Sequence, residues 1–165
     1  MFVTIDQFRE EFIEHMIQTQ RLFQALTDES LDLRITEDHR SLGELAWHVI
    51  SSFQFATMLG LPMPALEPNE EQVNSADHIS LEYQKITNAL LESVTNNWKD
   101  KTLKKTVVLF GQKWTFGVAL RFVLNHTIHH CGQMTVLMRQ AGLSIPGMYG
   151  PTREDWIAQG KEPLM

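Results

Sequence analysis

The sequence predicts an all-α fold: an antiparallel four-helix bundle with a short extended or hairpin connection before the last helix. Three observations carry this. Four long segments place apolar residues at three- and four-residue spacing, the period of a helix with one buried face. Two of them open on a Thr/Ser-x-x-Gln/Glu pattern, which satisfies free backbone N–H groups at a helix start. Only one stretch, KTVVLFGQKW at residues 105–114, favours β structure. The 165 residues match the usual size of one domain, expected to span residues 1–165.

The first helix runs from about residue 5 to about residue 27. Thr4 and Gln7 form its capping box, and Ile5, Phe8, Phe12, Met16, Phe23 and Leu26 form its apolar stripe. Ser41 with Glu44 opens a second helix that carries Leu42, Leu45, Val49, Phe53 and Ala56 and ends near Leu59, before Gly60 and Pro62. The prolines of LPMPALEPNEEQ exclude a regular helix there and suggest an ordered covering loop. A third helix covers roughly residues 76–98, with Ile79, Tyr83, Ile86, Leu90 and Val94 on one face. Two short runs flanking Gly111-Gln112 read as a small hairpin. The fourth helix extends from about Phe116 to Ala141, with Gly142 as a left-handed cap. The Gly- and Pro-rich LSIPGMYGPTREDW is expected to be irregular and packed over one end.

Composition narrows the function. A formal charge of −6, with basic residues gathered only at Lys99, Lys101, Lys104 and Lys105, disfavours a nucleic-acid partner, which needs concentrated positive charge. No apolar run approaches the ~20 residues of a membrane span. The opening MFVTIDQFREEF lacks the pattern of a signal peptide, and Cys131 is the lone cysteine. Both point to a reducing, cytoplasmic address.

The chemistry concentrates in the fourth helix. Its inward stripe reads Ala119, Val123, His126, His130, then Met134 or Gln133, Leu137 and Ala141. Histidines at i and i+4 share a helix face with Cβ atoms about 6 Å apart, so both rings can meet one ion. Burying two imidazoles without partners is costly, and a shared metal removes that cost. The competing reading is two separately hydrogen-bonded histidines. His48, set in an apolar context on the second helix, favours the metal by supplying a third ligand. A zincin is excluded because Thr127 stands where HExxH needs its glutamate. A di-iron carboxylate bundle is excluded because no Glu-x-x-His exists: Glu44 and His48 are four apart. The expected site is one divalent ion on His48, His126 and His130. Imidazole suits Zn, Ni, Cu and Fe alike.

Other candidates have blander roles. His129 lies about one hundred degrees around the helix from His130 and should face a neighbouring helix or a partner subunit. Cys131 reads as a small buried residue, and His15, His39 and His78 as surface residues. Asn125, Glu44 and Gln133 are candidates for orienting the ligands through their second ring nitrogens. Trp47, Trp114, Trp156 and Tyr149 read first as core or interface aromatics, and second as walls of an opening near the metal.

The segments LGELAWHV, NHTIHHCGQM and AGLSIPGMYGP resemble the DinB/YfiT-like superfamily, in the same order along essentially the whole chain. That resemblance implies a bacterial four-helix bundle, a homodimer and a three-histidine metal site; the expected ion is Zn or Ni first, with Fe as a further candidate. It departs at Cys131, where the family often has Arg. It further implies a metal-dependent transferase that uses a low-molecular-weight thiol against an electrophilic small molecule, or a hydrolase, in stress response or detoxification. Three protein ligands leave a position open, the pattern of a catalytic zinc site. The alternative is a non-catalytic metal-binding stress protein or interaction module, favoured by the absence of a carboxylate beside the helix histidines.

Overall fold

A computed structural model describes residues 1–67 and 70–163. The helices are α1 (Ile5–Gln24), α2 (Leu42–Ser52), α3 (Glu70–Val73), α4 (Ala76–Asn97), α5 (Phe116–Gln140) and α6 (Arg153–Ala158). Strands β1 (Thr106–Leu109) and β2 (Gln112–Thr115) pair antiparallel, with Thr106 opposite Thr115 and Leu109 opposite Gln112. The chain is therefore mostly helical with a small two-stranded sheet, and the hairpin expected before the last long helix is a paired ladder between α4 and α5. No described helix is long and apolar enough to cross a membrane.

The four longer helices enclose a single hydrophobic core. Helix α1 packs on α4, and α2 on α5. At the centre, Phe23 stacks on Tyr83 with ring centroids 4.5 Å apart, and Phe12 meets Phe53 edge-on at 6.0 Å. All four rings are fully buried. Burial of this kind contributes about 1.5–3 kcal/mol for each large apolar side chain.

The helix starts follow their local chemistry. Ser41 accepts from the Glu44 N–H at 3.2 Å while Glu44 Oε2 accepts from the Ser41 N–H at 2.6 Å, completing the expected box. At α1 the box is shifted: Thr4 caps Gln7, but the Gln7 side chain accepts from the N–H of Val3 rather than that of Thr4. Phe2 docks backbone-to-backbone on the start of α5, its N–H donating to the Gly117 carbonyl at 3.1 Å.

Several boundaries differ from the sequence reading. Helix α1 stops at Gln24, and Asp28–Ser30 forms a separate 3₁₀ turn. The second helix tightens into 3₁₀ geometry over Phe53–Leu59 before Gly60 takes a left-handed φ of 77°. The proline-rich loop ends in the single turn α3, while Pro68 and Asn69 lie outside the described residues. The tail is not wholly irregular. Thr152 and Asp155 cap one another and start α6 directly after Pro151. Gly142, at φ 74°, is left-handed as expected.

Candidate metal centre

Packing of α2 on α5 brings His48 against His126 and His130. On α2, His48 sits between the fully buried Ala46 and Val49, so its ring leaves the core on the side facing α5. One helical turn separates His126 from His130, and their ring centroids are 4.5 Å apart. From His48 the centroids lie 5.1 Å from His126 and 4.4 Å from His130. One ligand nitrogen from each ring falls within 4.8 Å of the others, an arrangement that could hold a metal ion.

The details fit a small divalent cation. Nitrogens at 2.0–2.1 Å from a tetrahedral zinc stand roughly 3.3 Å from each other. The Nε2 atoms of His48 and His126 are 3.1 Å apart. His130 donates from Nδ1 to the Gln133 side-chain oxygen at 2.7 Å, which leaves its Nε2 bare. All three histidines titrate below their ordinary value, mainly because burial penalises the charged form. The Arg40 guanidinium and the neighbouring imidazoles push the same way. For His48 the pKa falls to about 4. The rings are thus neutral near pH 7, the form in which imidazole binds metals.

The residues around the cluster are a mixed outcome for the sequence reading. Of the three candidate orienters, Gln133 engages a ligand. Glu44 is used by the α2 cap and by Arg34 at 3.8 Å, and Asn125 is exposed. His129 is exposed, with its ring centroid 4.9 Å from that of His130, and no described element covers it. Cys131 is buried, as expected, with its thiol pushed up to about 12 by desolvation. His39 is exposed and His78 half-buried, but His15 is only 2% exposed, which corrects its reading as a surface residue.

Among the aromatics, Trp114 alone reaches the cluster's surroundings. It meets Phe122, which stacks on His126 at 5.7 Å and also contacts Phe55 and Phe110. Trp47 lies beside His78, Tyr149 beside His15 and Trp156 beneath Lys161. Phe122 has a sequence signal that went unread: it lies one turn before His126 on the same helix face. A pocket of about 530 Å³ lies against His130, lined by the loop at residues 35–40, Leu45 and the second half of α5. Nothing in the spacing of the sequence marks that loop.

Three imidazoles converging from two packed helices, with a pocket alongside, define a helical-bundle protein with a histidine-rich candidate metal site. The chain belongs to the DinB family, whose model matches residues 1–163. It is 39% identical to the protein YrdA of Bacillus subtilis (strain 168) over 163 residues, 98% of each chain. The crystal structure of a DinB-like protein from Bacillus cereus ATCC 10987 superposes with a TM-score of 0.85 at 36% identity, covering 90% of this chain and 100% of that one. YfiT from Bacillus subtilis shares the fold, with a TM-score of 0.61 at 18% identity over 85% of this chain and 89% of its own. It is described as "a probable metal-dependent hydrolase with an unusual four-helix bundle topology".

Proposed function

We propose that this protein is a metal-dependent enzyme of the DinB type, a hydrolase or a transferase that uses a low-molecular-weight thiol. In this reading His48, His126 and His130 hold one zinc or nickel ion in a single antiparallel four-helix-bundle domain, and the protein works as a homodimer. The carrying observation is the convergence of three neutral imidazoles, one of them fixed in its tautomer by Gln133. The description of YfiT as metal-dependent supports the reading at the level of the shared fold.

His48, His126 and His130 would hold the ion, and when bound it would supply Lewis acidity that makes a water or thiol nucleophilic near neutrality. The chain's own groups do the rest. The Gln133 side-chain oxygen accepts a hydrogen bond from His130 Nδ1–H, which holds the ring's other nitrogen toward the centre. Phe122 covers the outer face of His126 and limits water there. Asp38 is the carboxylate among the pocket's lining residues, so a base is available on the side where substrate would enter. That placement favours the enzymatic reading over a purely metal-binding one.

Metal analysis of untagged protein is the direct test. We expect close to one zinc or nickel per chain in the parent and none in a His126→Ala, His130→Ala double variant. A parent that takes up neither added ion would overturn the reading. A finer expectation concerns Gln133→Leu, which removes the acceptor from His130 and should weaken zinc binding about 10–100-fold in a chelator competition. Unchanged affinity would mean that Gln133 does not orient the ring.

A further inference from the structure

We propose that the pocket beside His130 binds a small molecule with an apolar body and an anionic headgroup, and that Arg40 is the residue that recognises the anion. The proposal deepens the functional reading above and rests on it for the chemistry, though not for the binding itself.

The pocket is two-faced. Leu45 from α2, Val136 and Leu137 from α5 and Ile35 from the preceding loop supply apolar lining. Ile35 is 62% exposed and Val136 50%, so together they offer apolar surface that a ligand's hydrocarbon portion would cover. A volume of about 530 Å³ suits a small metabolite and lies within the usual range of ligand pockets.

Polar groups line the same space. His130 and Gln133 line it from α5; Asp38, His39 and Arg40 line it from the loop. The loop is anchored rather than free. The Leu42 and Gly43 N–H groups donate to the Leu33 and Leu31 carbonyls at 2.8 and 2.9 Å, and His39 Nδ1 lies 2.6 Å from the Thr36 hydroxyl. Arg40 therefore leaves a fixed backbone position immediately before the α2 cap. Among the described residues no carboxylate lies within ion-pair distance of its guanidinium, whereas Arg34, on the same loop, is paired with Glu44. Arg40 is nevertheless the charged side chain whose field is felt at all three imidazoles of the cluster.

An unpaired guanidinium on the pocket lining attracts an anion. Asp38 on the same lining leaves the pocket's protein charge near balance, so a ligand must find Arg40 rather than a diffuse positive field. The planar guanidinium suits a carboxylate, sulfonate or phosphate group with two parallel hydrogen bonds. A ligand seated this way would hold its apolar portion along Leu45 and Val136 and a reactive atom near His130.

Hexane-1-sulfonate is a suitable probe, because a sulfonate is a poor metal ligand and reports on Arg40 rather than on the ion. Its affinity would be measured by calorimetry for the parent, Arg40→Gln and Arg40→Lys, in both metal-free and zinc-loaded protein, with hexan-1-ol and butane-1-sulfonate as comparisons. Arg40 is exposed, so the variants should fold; melting curves check this. The expected result is a loss of about fivefold or more in Arg40→Gln, partial retention in Arg40→Lys, and weaker binding of both comparison compounds. The proposal is overturned if the sulfonate fails to bind the parent, if Arg40→Gln binds it equally well, or if hexan-1-ol matches it. The metal-free arm makes this outcome independent of whether the histidines take up zinc.

Discussion

Acidification from pH 7.5 to pH 4.5 is expected to weaken the fold by about 2.5 kcal/mol through His15 alone. His15 lies on the inner face of α1, 2% exposed, with Nδ1 2.6 Å from the Tyr149 hydroxyl and Nε2 3.4 Å from that of Thr19. Desolvation lowers its pKa from 6.5 to about 4, against a smaller upward pull from Glu11. The folded chain therefore binds fewer protons than the unfolded one between these values. The stabilisation from keeping His15 neutral is complete above pH 6.5 and is lost as pH falls toward 4. Urea unfolding of the parent and of His15→Gln, both in the presence of a chelator, isolates this contribution, because the three clustered histidines titrate in both proteins. The parent should lose about 2.5 kcal/mol more than the variant over that interval. Equal losses would show that His15 carries no such penalty.

Gly117→Ala should cost a further large amount, about 2–3 kcal/mol, although alanine is the better helix former by up to ~1 kcal/mol. A Cβ at position 117 would overlap the Phe2 carbonyl oxygen, with the Leu103 carbonyl 3.5 Å away on the other flank. The obstacle is the Phe2 backbone, so no rotamer change relieves the clash. The first three residues must lift off, exposing the Phe2 ring that packs edge-on against Phe8 at 5.4 Å and lies under the Arg121 guanidinium at 4.0 Å. The Phe2 N–H bond to the Gly117 carbonyl goes with them. The same substitution in a chain lacking residues 1–3 should have the opposite sign and stabilise by up to ~1 kcal/mol, since the obstruction is gone and only helix propensity remains. A loss of equal size in both backgrounds would place the cost somewhere other than Phe2.

These two positions show where the sequence was legible and where it was not. The stripe on α1 was visible, but its phase allowed either residue 15 or residue 16 inward. An apolar preference selects Met16, whereas the fold buries His15, because Tyr149, 134 residues later, supplies its hydrogen-bond partner. A long-range polar pair of that kind leaves no periodic trace. His126 and His130 were readable because a helix places i and i+4 together whatever surrounds it. Their meeting with His48 was readable from the apolar setting of that histidine on the second helix and from the family resemblance. Helix α6 was overlooked for a local reason: the Thr152–Asp155 box lies within a Gly- and Pro-rich stretch whose breaker residues outweighed it. Arg40 was invisible for a topological one. Its pocket is assembled from a loop and a helix nearly one hundred residues apart, and no spacing rule joins them.

The hairpin tip near His126 carries a consequence for how that side of the protein is built. Phe110 and Gly111 have φ values of 50° and 74°, so both central residues of the turn are left-handed. This is the tight reversal that asparagine and glycine favour. A phenylalanine there costs roughly 1–2 kcal/mol in backbone strain. Its ring, although 73% exposed, contacts Phe55, Trp114 and Phe122, pairs worth about 0.5–1.5 kcal/mol each. Side-chain contact thus outweighs local backbone preference, and the turn is held from its aromatic side. The hairpin serves as a buttress for the Phe122–His126 stack, and a residue better suited to the turn would leave that stack less firmly supported.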